Sequence, residues 1–88
     1  MRLKEGFTCM ELAGKHIGIY VGPDETALQG TVEMNEIGAF VWNLLENDIT
    51  EDAIYARVLE EYEGDEAFIR SDIHEMLSIM KENGVIEE

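Results

Sequence analysis

Between Thr31 and Leu45 the hydrophobic repeat of this chain changes period, and the change falls on one pair of residues, Met34–Asn35. Ahead of the pair, Thr31 to Met34 is a short strand-like run. Behind it, Ile37, Phe40, Val41, Leu44 and Leu45 recur at helical spacing, and Asn35 is suited to cap that helix. A strand therefore ends directly against a helix that carries the only tryptophan, Trp42. The join divides the chain into a sheet half and a helical half and sets the expected fold class as α+β.

Before the join, Phe7 to Leu12 reads as a strand, Ala13-Gly14-Lys15 as a tight reversal, and His16 to Val21 as a second strand. Ile17, Ile19 and Val21 share one face of that strand, with His16, Gly18 and Tyr20 on the other, which is the alternation of a half-buried sheet. Gly22-Pro23-Asp24-Glu25 is turn chemistry, with proline fixing its own φ and removing a donor. Residues 31–34 make the third strand. A sheet of three antiparallel strands leaves at least one edge open unless another element covers it.

After the join, helices are expected over residues 35–46, 50–62 and 65–83. Thr50, followed by Glu51 and Asp52, starts the second helix with acidic residues where the helix dipole favours them. Ile54, Tyr55, Val58, Leu59 and Tyr62 form its buried face, and Gly64 ends it. The third helix closes on Gly84, with Lys81 in its last turn. Its apolar set is Phe68, Ile69, Ile73, Met76, Leu77, Ile79 and Met80. These cover an arc of about 180°, wider than the roughly 100° that one core contact needs. Ile73, Leu77 and Met80 can serve the core, which leaves Phe68, Met76 and Ile79, with Asp72 among them, to face something else. Trp42 is read as a packing residue on the flank of the first helix's stripe.

With 88 residues the chain makes one domain, residues 1–88, burying roughly 60–65% of its unfolded surface. The net charge of −14 accompanies an apolar fraction of 45%, ordinary for a folded protein, so the charge does not imply disorder. Such a surface repels phosphate backbones and anionic membranes and attracts basic peptides or proteins. Six basic residues against twenty acidic ones make nucleic acid an unsuitable partner for a sheet-plus-helix fold that otherwise invites a DNA-binding reading. No apolar run approaches bilayer length, and residues 1–6 lack the apolar core of a signal peptide. With Cys9 as the lone cysteine, a cytoplasmic protein is expected.

Catalytic chemistry finds no support. His16 and His74 have no partners at ligand spacing, so no metal site is expected. The glycines at 14, 18 and 22 precede no helix and make no phosphate loop. Cys9 has no adjacent base and reads as a small hydrophobe. An acyl-carrier reading of Ser71 fails, because Asp72 follows it where such carriers show leucine. Physical reasoning favours peptide binding by strand addition. The edge of the third strand would supply backbone hydrogen bonds, and pockets between Val32 or Met34 and the helix residues Met76 and Ile79 would supply selectivity.

Three segments in order resemble the PqqD-like family, the peptide-recognition domains named after protein D of pyrroloquinoline quinone biosynthesis. They are Met34-Asn35 with Ala39-Phe40-Val41-Trp42-Asn43-Leu44-Leu45, then Thr50-Glu51-Asp52-Ala53-Ile54, then Asp72-Ile73-His74-Glu75-Met76-Leu77 through Asn83-Gly84-Val85-Ile86. The resemblance spans nearly the whole chain; Met34 stands where the family usually has leucine. It implies a winged helix-turn-helix-like fold, with a three-stranded antiparallel N-terminal sheet followed by three helices. It also implies no enzymatic activity and no cofactor. The implied role is a recognition element that holds the leader segment of a ribosomally made precursor peptide as an added strand and presents it to a modifying enzyme, often a radical S-adenosylmethionine enzyme. Carried onto this chain, the groove consists of Thr31, Val32, Glu33 and Met34 on one side and Phe68, Asp72, Met76 and Ile79 on the other. The alternative is a winged-helix scaffold or regulatory domain that binds another protein without a peptide substrate. An open edge strand would also allow a homodimer.

Overall fold

A computed structural model describes residues 1–22 and 31–87. In chain order its elements are β1 (Arg2–Leu3), β2 (Phe7–Leu12), β3 (Lys15–Tyr20), β4 (Thr31–Met34), α1 (Glu36–Leu44), α2 (Glu51–Glu61), α3 (Glu66–Glu82) and β5 (Ile86–Glu87). Strands β2, β3 and β4 form an antiparallel sheet in that order, followed by three helices, the α+β arrangement expected from the sequence. The turn expected at Gly22-Pro23-Asp24-Glu25 lies mostly outside the described residues.

Each helix begins where a short polar side chain can satisfy an otherwise orphaned backbone donor. Asn35 Oδ1 accepts from the Gly38 amide at 2.7 Å, Thr50 Oγ1 from Ala53 at 3.2 Å, and Asp65 Oδ1 from Phe68 at 3.0 Å. At the far end of α3, Gly84 takes φ +71°, the left-handed conformation that lets the chain leave a helix without a Cβ clash. These are interactions within three or four residues, which is why the helix boundaries are legible in the sequence.

Helices α1, α2 and α3 enclose one core of Val41, Trp42, Leu45, Ile54, Tyr55, Val58, Ile69, Ile73, Leu77 and Met80. Phe40 and Tyr62 meet edge to face at 5.5 Å, closing α1 against the end of α2. Trp42 packs inside the core, only 1% exposed, as its reading as a packing residue expects. Its indole Nε1 is buried with no hydrogen-bond partner among the described residues, a desolvation cost that the packing of so large a ring must offset.

Alternation along β3 leaves open which face of the sheet is buried, and the structure buries the one that carries Gly18, away from Ile17 and Ile19. Cys9, Gly18 and Val32 lie side by side across the three strands, and Gly18 rests on the six-membered ring of Trp42. Phe7, Cys9 and Met34 join the core on this side. Ile17 and Ile19 therefore point to the outer face, where Met10 and Leu12 are exposed and Val21, just past β3, is 66% exposed. The physical reason is shape. A helix bearing a tryptophan can approach a sheet closely only over a residue without a side chain, and Gly18 is that residue.

A second, two-stranded ribbon has no counterpart in the sequence reading. Arg2 pairs with Glu87 and Leu3 with Ile86, while the Leu3 amide donates to the Leu45 carbonyl and the Lys4 amide to that of Val85, both at 2.9 Å. The ribbon places Val85 and Ile86 in the core and anchors the C-terminal end of α3. Among the described residues no helix is long and apolar enough to cross a membrane.

Candidate functional site

β4 is the last strand of its sheet, so one side of its backbone has no strand partner among the described residues. Beside that free edge an open cleft of about 330 Å³ runs between β4 and α3. Val32, Glu33 and Met34 of β4, the capping Asn35 and Gly38 of α1 line one side. Asp72, Glu75, Met76, Ile79 and Met80 line the other. The helix residues fall at i, i+3, i+4, i+7 and i+8, the stripe that one face of an α-helix presents.

The cleft exists because α3 is more apolar than its core contact requires. Ile69, Ile73, Leu77 and Met80 are buried, whereas Met76 is half-buried and Ile79 remains 50% exposed. At the base of the cleft, α1 comes close to β4 because position 38 carries no side chain. A Cβ there would lie 3.1 Å from the Met34 Cβ and 3.2 Å from Asn35 Oδ1, tighter than ordinary contact. Methionines 34, 76 and 80 give the walls an unbranched, adaptable apolar surface.

Glu33, Asp72 and Glu75 are the acidic residues of the cleft's lining, and no lysine or arginine lines it. Lys15 Nζ reaches Glu33 from β3 at 3.6 Å, whereas Asp72 and Glu75 have no ion-pair partner among the described residues. An unpaired strand edge, apolar walls and a carboxylate border can accept an extended chain through backbone hydrogen bonds and take apolar side chains between the methionines. Among the described residues no group of three or more His, Cys, Asp or Glu is placed to hold a metal ion.

Of the residues expected from the sequence, Val32, Glu33, Met34, Asp72, Met76 and Ile79 come together in the cleft. Thr31 belongs to β4, paired in register with Ile19. Phe68 is not among the lining residues; it lies one turn before Asp72 and is 71% exposed. Asn35, Gly38, Glu75 and Met80 line the cleft without having been expected there. Glu75 and Met80 each follow an expected residue by one helical turn, and Gly38 is conspicuous as a glycine inside a helix, so a signal existed for each of them.

His74, which has no partner at sequence spacing, meets Glu51 of α2, with Nδ1 to Oε2 at 3.2 Å. Glu51 also accepts a hydrogen bond from the Tyr55 hydroxyl at 2.6 Å, and that bond is the main reason its carboxyl titrates below the usual range. Burial, and then the same carboxylate, pushes Tyr55 up to about 12. Burial also raises the Cys9 thiol, which keeps it protonated and unreactive at neutral pH. All of these groups lie outside the cleft.

Residues 16–86 match the family model described as coenzyme PQQ synthesis protein D (PqqD). No curated protein matches the chain in sequence. Among solved structures, the chain is similar to TbiB1 in complex with the TbiA(beta) leader peptide, at 16% identity and a TM-score of 0.75. That similarity covers 99% of this chain and 95% of the other, and at such identity it speaks to the fold alone.

Proposed function

The chain belongs to the PqqD family, and from that premise we propose that it is a non-catalytic peptide chaperone. It binds the leader segment of a ribosomally synthesised precursor peptide and presents the peptide to a modifying enzyme. The observation that carries this reading is the free edge of β4 running beside the apolar stripe of α3. The leader pairs with β4 as a further strand of the sheet, and alternate side chains enter between Met34, Met76 and Ile79. The similarity to a protein in complex with a leader peptide adds support to a peptide ligand of this class. In this reading Thr31, Val32, Glu33 and Met34 act through their backbone as much as their side chains. Asp72, Met76 and Ile79 form the opposing wall, with Phe68 available to a longer peptide beyond its end.

The modifying enzyme, by the family resemblance, is a radical S-adenosylmethionine enzyme, and the site of action is the cytoplasm. A homodimer through the free edge of β4 would occupy the surface the leader needs, so self-association there competes with peptide binding in this scheme.

The test is a titration of isotopically labelled protein with the leader segment of the precursor encoded beside it, followed by backbone amide shifts. Amides of residues 31–34 and of the Asp72–Ile79 face are expected to move. Saturable binding that shifts only the β2 edge or α2 would place the peptide elsewhere and sink the assignment. Ile79→Asp is expected to weaken binding at least tenfold with the fold intact, since the side chain is half exposed and contributes to the wall rather than the core.

A further inference from the structure

Resting on the peptide-binding reading above, we infer that the cleft selects a segment in which a lysine or arginine stands two residues from an apolar side chain. The wall formed by α3 is not uniform along its length. Asp72 and Glu75 occupy its N-terminal end, and Met76, Ile79 and Met80 its C-terminal end. At 1.5 Å of rise per residue, the midpoint of the two carboxylates and the midpoint of the three apolar residues are about 7 Å apart along the helix. Alternate residues of an extended strand, the ones that face the same way, are also separated by about 7 Å. A peptide added to β4 and lying along α3 therefore brings one inward side chain to the carboxylates and the next inward side chain to the apolar end.

Charge decides what the first of these must be. Glu33 is already engaged by Lys15 at 3.6 Å and points to the outer face of the sheet, so it contributes little to the choice. Asp72 and Glu75 have no ion-pair partner among the described residues, and no cation lines the cleft. An acidic side chain placed there meets two like charges, whereas a basic one meets two opposite charges. Each exposed pair is worth up to about fivefold in affinity, and the like-charge penalty is of similar size. A lysine-to-glutamate exchange at this position is therefore expected to cost about tenfold or more. The intervening residue of the peptide points to the outer face and is weakly constrained. The carboxylate end also sets polarity, because only one direction of the peptide puts the basic residue on Asp72 and Glu75 in a given register.

The probes are short synthetic peptides built on Thr-Lys-Thr-Leu-Thr, its reverse Thr-Leu-Thr-Lys-Thr, and versions of each with Gln or Glu in place of Lys. Affinities are read from amide shifts of residues 31–34 and α3 at low salt and at 1 M NaCl. In one orientation the lysine peptide is expected to bind about tenfold more tightly than the glutamate peptide, with glutamine between. At 1 M salt, where screening acts over about 3 Å, the ratio should shrink towards one. The double substitution Asp72→Asn, Glu75→Gln, at two exposed positions, should remove the preference. Glu61→Gln with Glu63→Gln, which removes the same amount of negative charge outside the cleft, should leave it intact. Equal affinity of the lysine and glutamate peptides, with shifts in the cleft, overturns the charge selection and leaves the cleft as the peptide site. A preference that survives Asp72→Asn, Glu75→Gln assigns it to the overall negative charge and also overturns the inference. No cleft shift with any peptide at millimolar concentration overturns the peptide-binding reading itself.

Discussion

Gly18→Ala adds a single methyl group at the centre of the sheet, and the structure fixes what that methyl would meet. An ideal Cβ at position 18 lies 2.7 Å from Cη2, 2.8 Å from Cζ3 and 3.3 Å from Cζ2 of Trp42. Carbon atoms prefer separations of about 3.5–4.0 Å, so α1 and the sheet must move apart by nearly an ångström, or the indole must rotate. The indole has no free space to rotate into, being 1% exposed and packed among the core side chains. Overpacking of this kind costs about 1–3 kcal/mol. Replacing glycine inside a strand returns about 0.5–1 kcal/mol through lower backbone entropy in the unfolded chain. The net expectation is a loss centred on about 1 kcal/mol and at most about 2.5 kcal/mol, against the roughly 4–13 kcal/mol typical for a chain of this size.

Urea unfolding monitored by the fluorescence of the only tryptophan measures this directly, with a lowered midpoint at an unchanged slope. Two companion variants isolate the cause. Trp42→Phe removes the six-membered ring that the new Cβ would strike, so its effect and that of Gly18→Ala should be less than additive by at least 0.5 kcal/mol, read by far-ultraviolet circular dichroism. Gly14→Ala has open space around it but a φ of +79°, so it should cost about 1 kcal/mol with no coupling to position 42. A Gly18→Ala protein as stable as the parent, or more stable, would refute the close approach of the sheet to Trp42. It would point instead to Ile17 and Ile19 as the core-facing residues.

The remaining predictions test the outer sheet face, the terminal ribbon and the α2–α3 hydrogen-bond cluster. Leu12→Lys and Val21→Lys, on a face the sequence pattern would bury, should each change stability by no more than about 0.5 kcal/mol in the same unfolding assay. Ile86→Ala, in the ribbon and nearly fully buried, should cost about 2–5 kcal/mol, and a surface-like value would mean that β5 does not anchor the core. The carboxyl of Glu51 sits below its unfolded value because Tyr55 donates to it, so its contribution to stability is present above about pH 4.5 and fades as the pH falls further. Tyr55 is raised to about 12, so its contribution is intact below pH 10 and is lost as the pH climbs through 12. Tyr55→Phe should flatten both limbs of a thermal-unfolding pH profile and leave peptide affinity unaltered; an unchanged profile would show that the hydrogen bond carries no linkage.

The cleft was partly legible in the chain because half of it is a helical property. The surplus of apolar residues on α3 follows from counting along the sequence, and it led to Met76 and Ile79 directly. Asp72 follows from the same stripe. Phe68 satisfies the same count yet is not among the residues that line the cleft, and it is 71% exposed. Gly38 is conspicuous as a glycine inside a helix, but Asn35 reads only as a cap, and how closely α1 folds back against β4 has no measure in the sequence.

What the sequence determined by itself is local. Asn35, Thr50 and Asp65 each cap a helix through an amide three residues away, and Gly84 ends α3 by its own backbone freedom. Only the tertiary structure decided which face of the sheet is buried, that a ribbon joins Leu3 to Ile86, and which residues border the open edge of β4. The sheet illustrates the reason. Alternation along β3 allows either face to turn inward, and apolar content alone favours Ile17 and Ile19. The face that did turn inward is the one whose central glycine admits Trp42, a residue far along the chain whose shape no local pattern encodes.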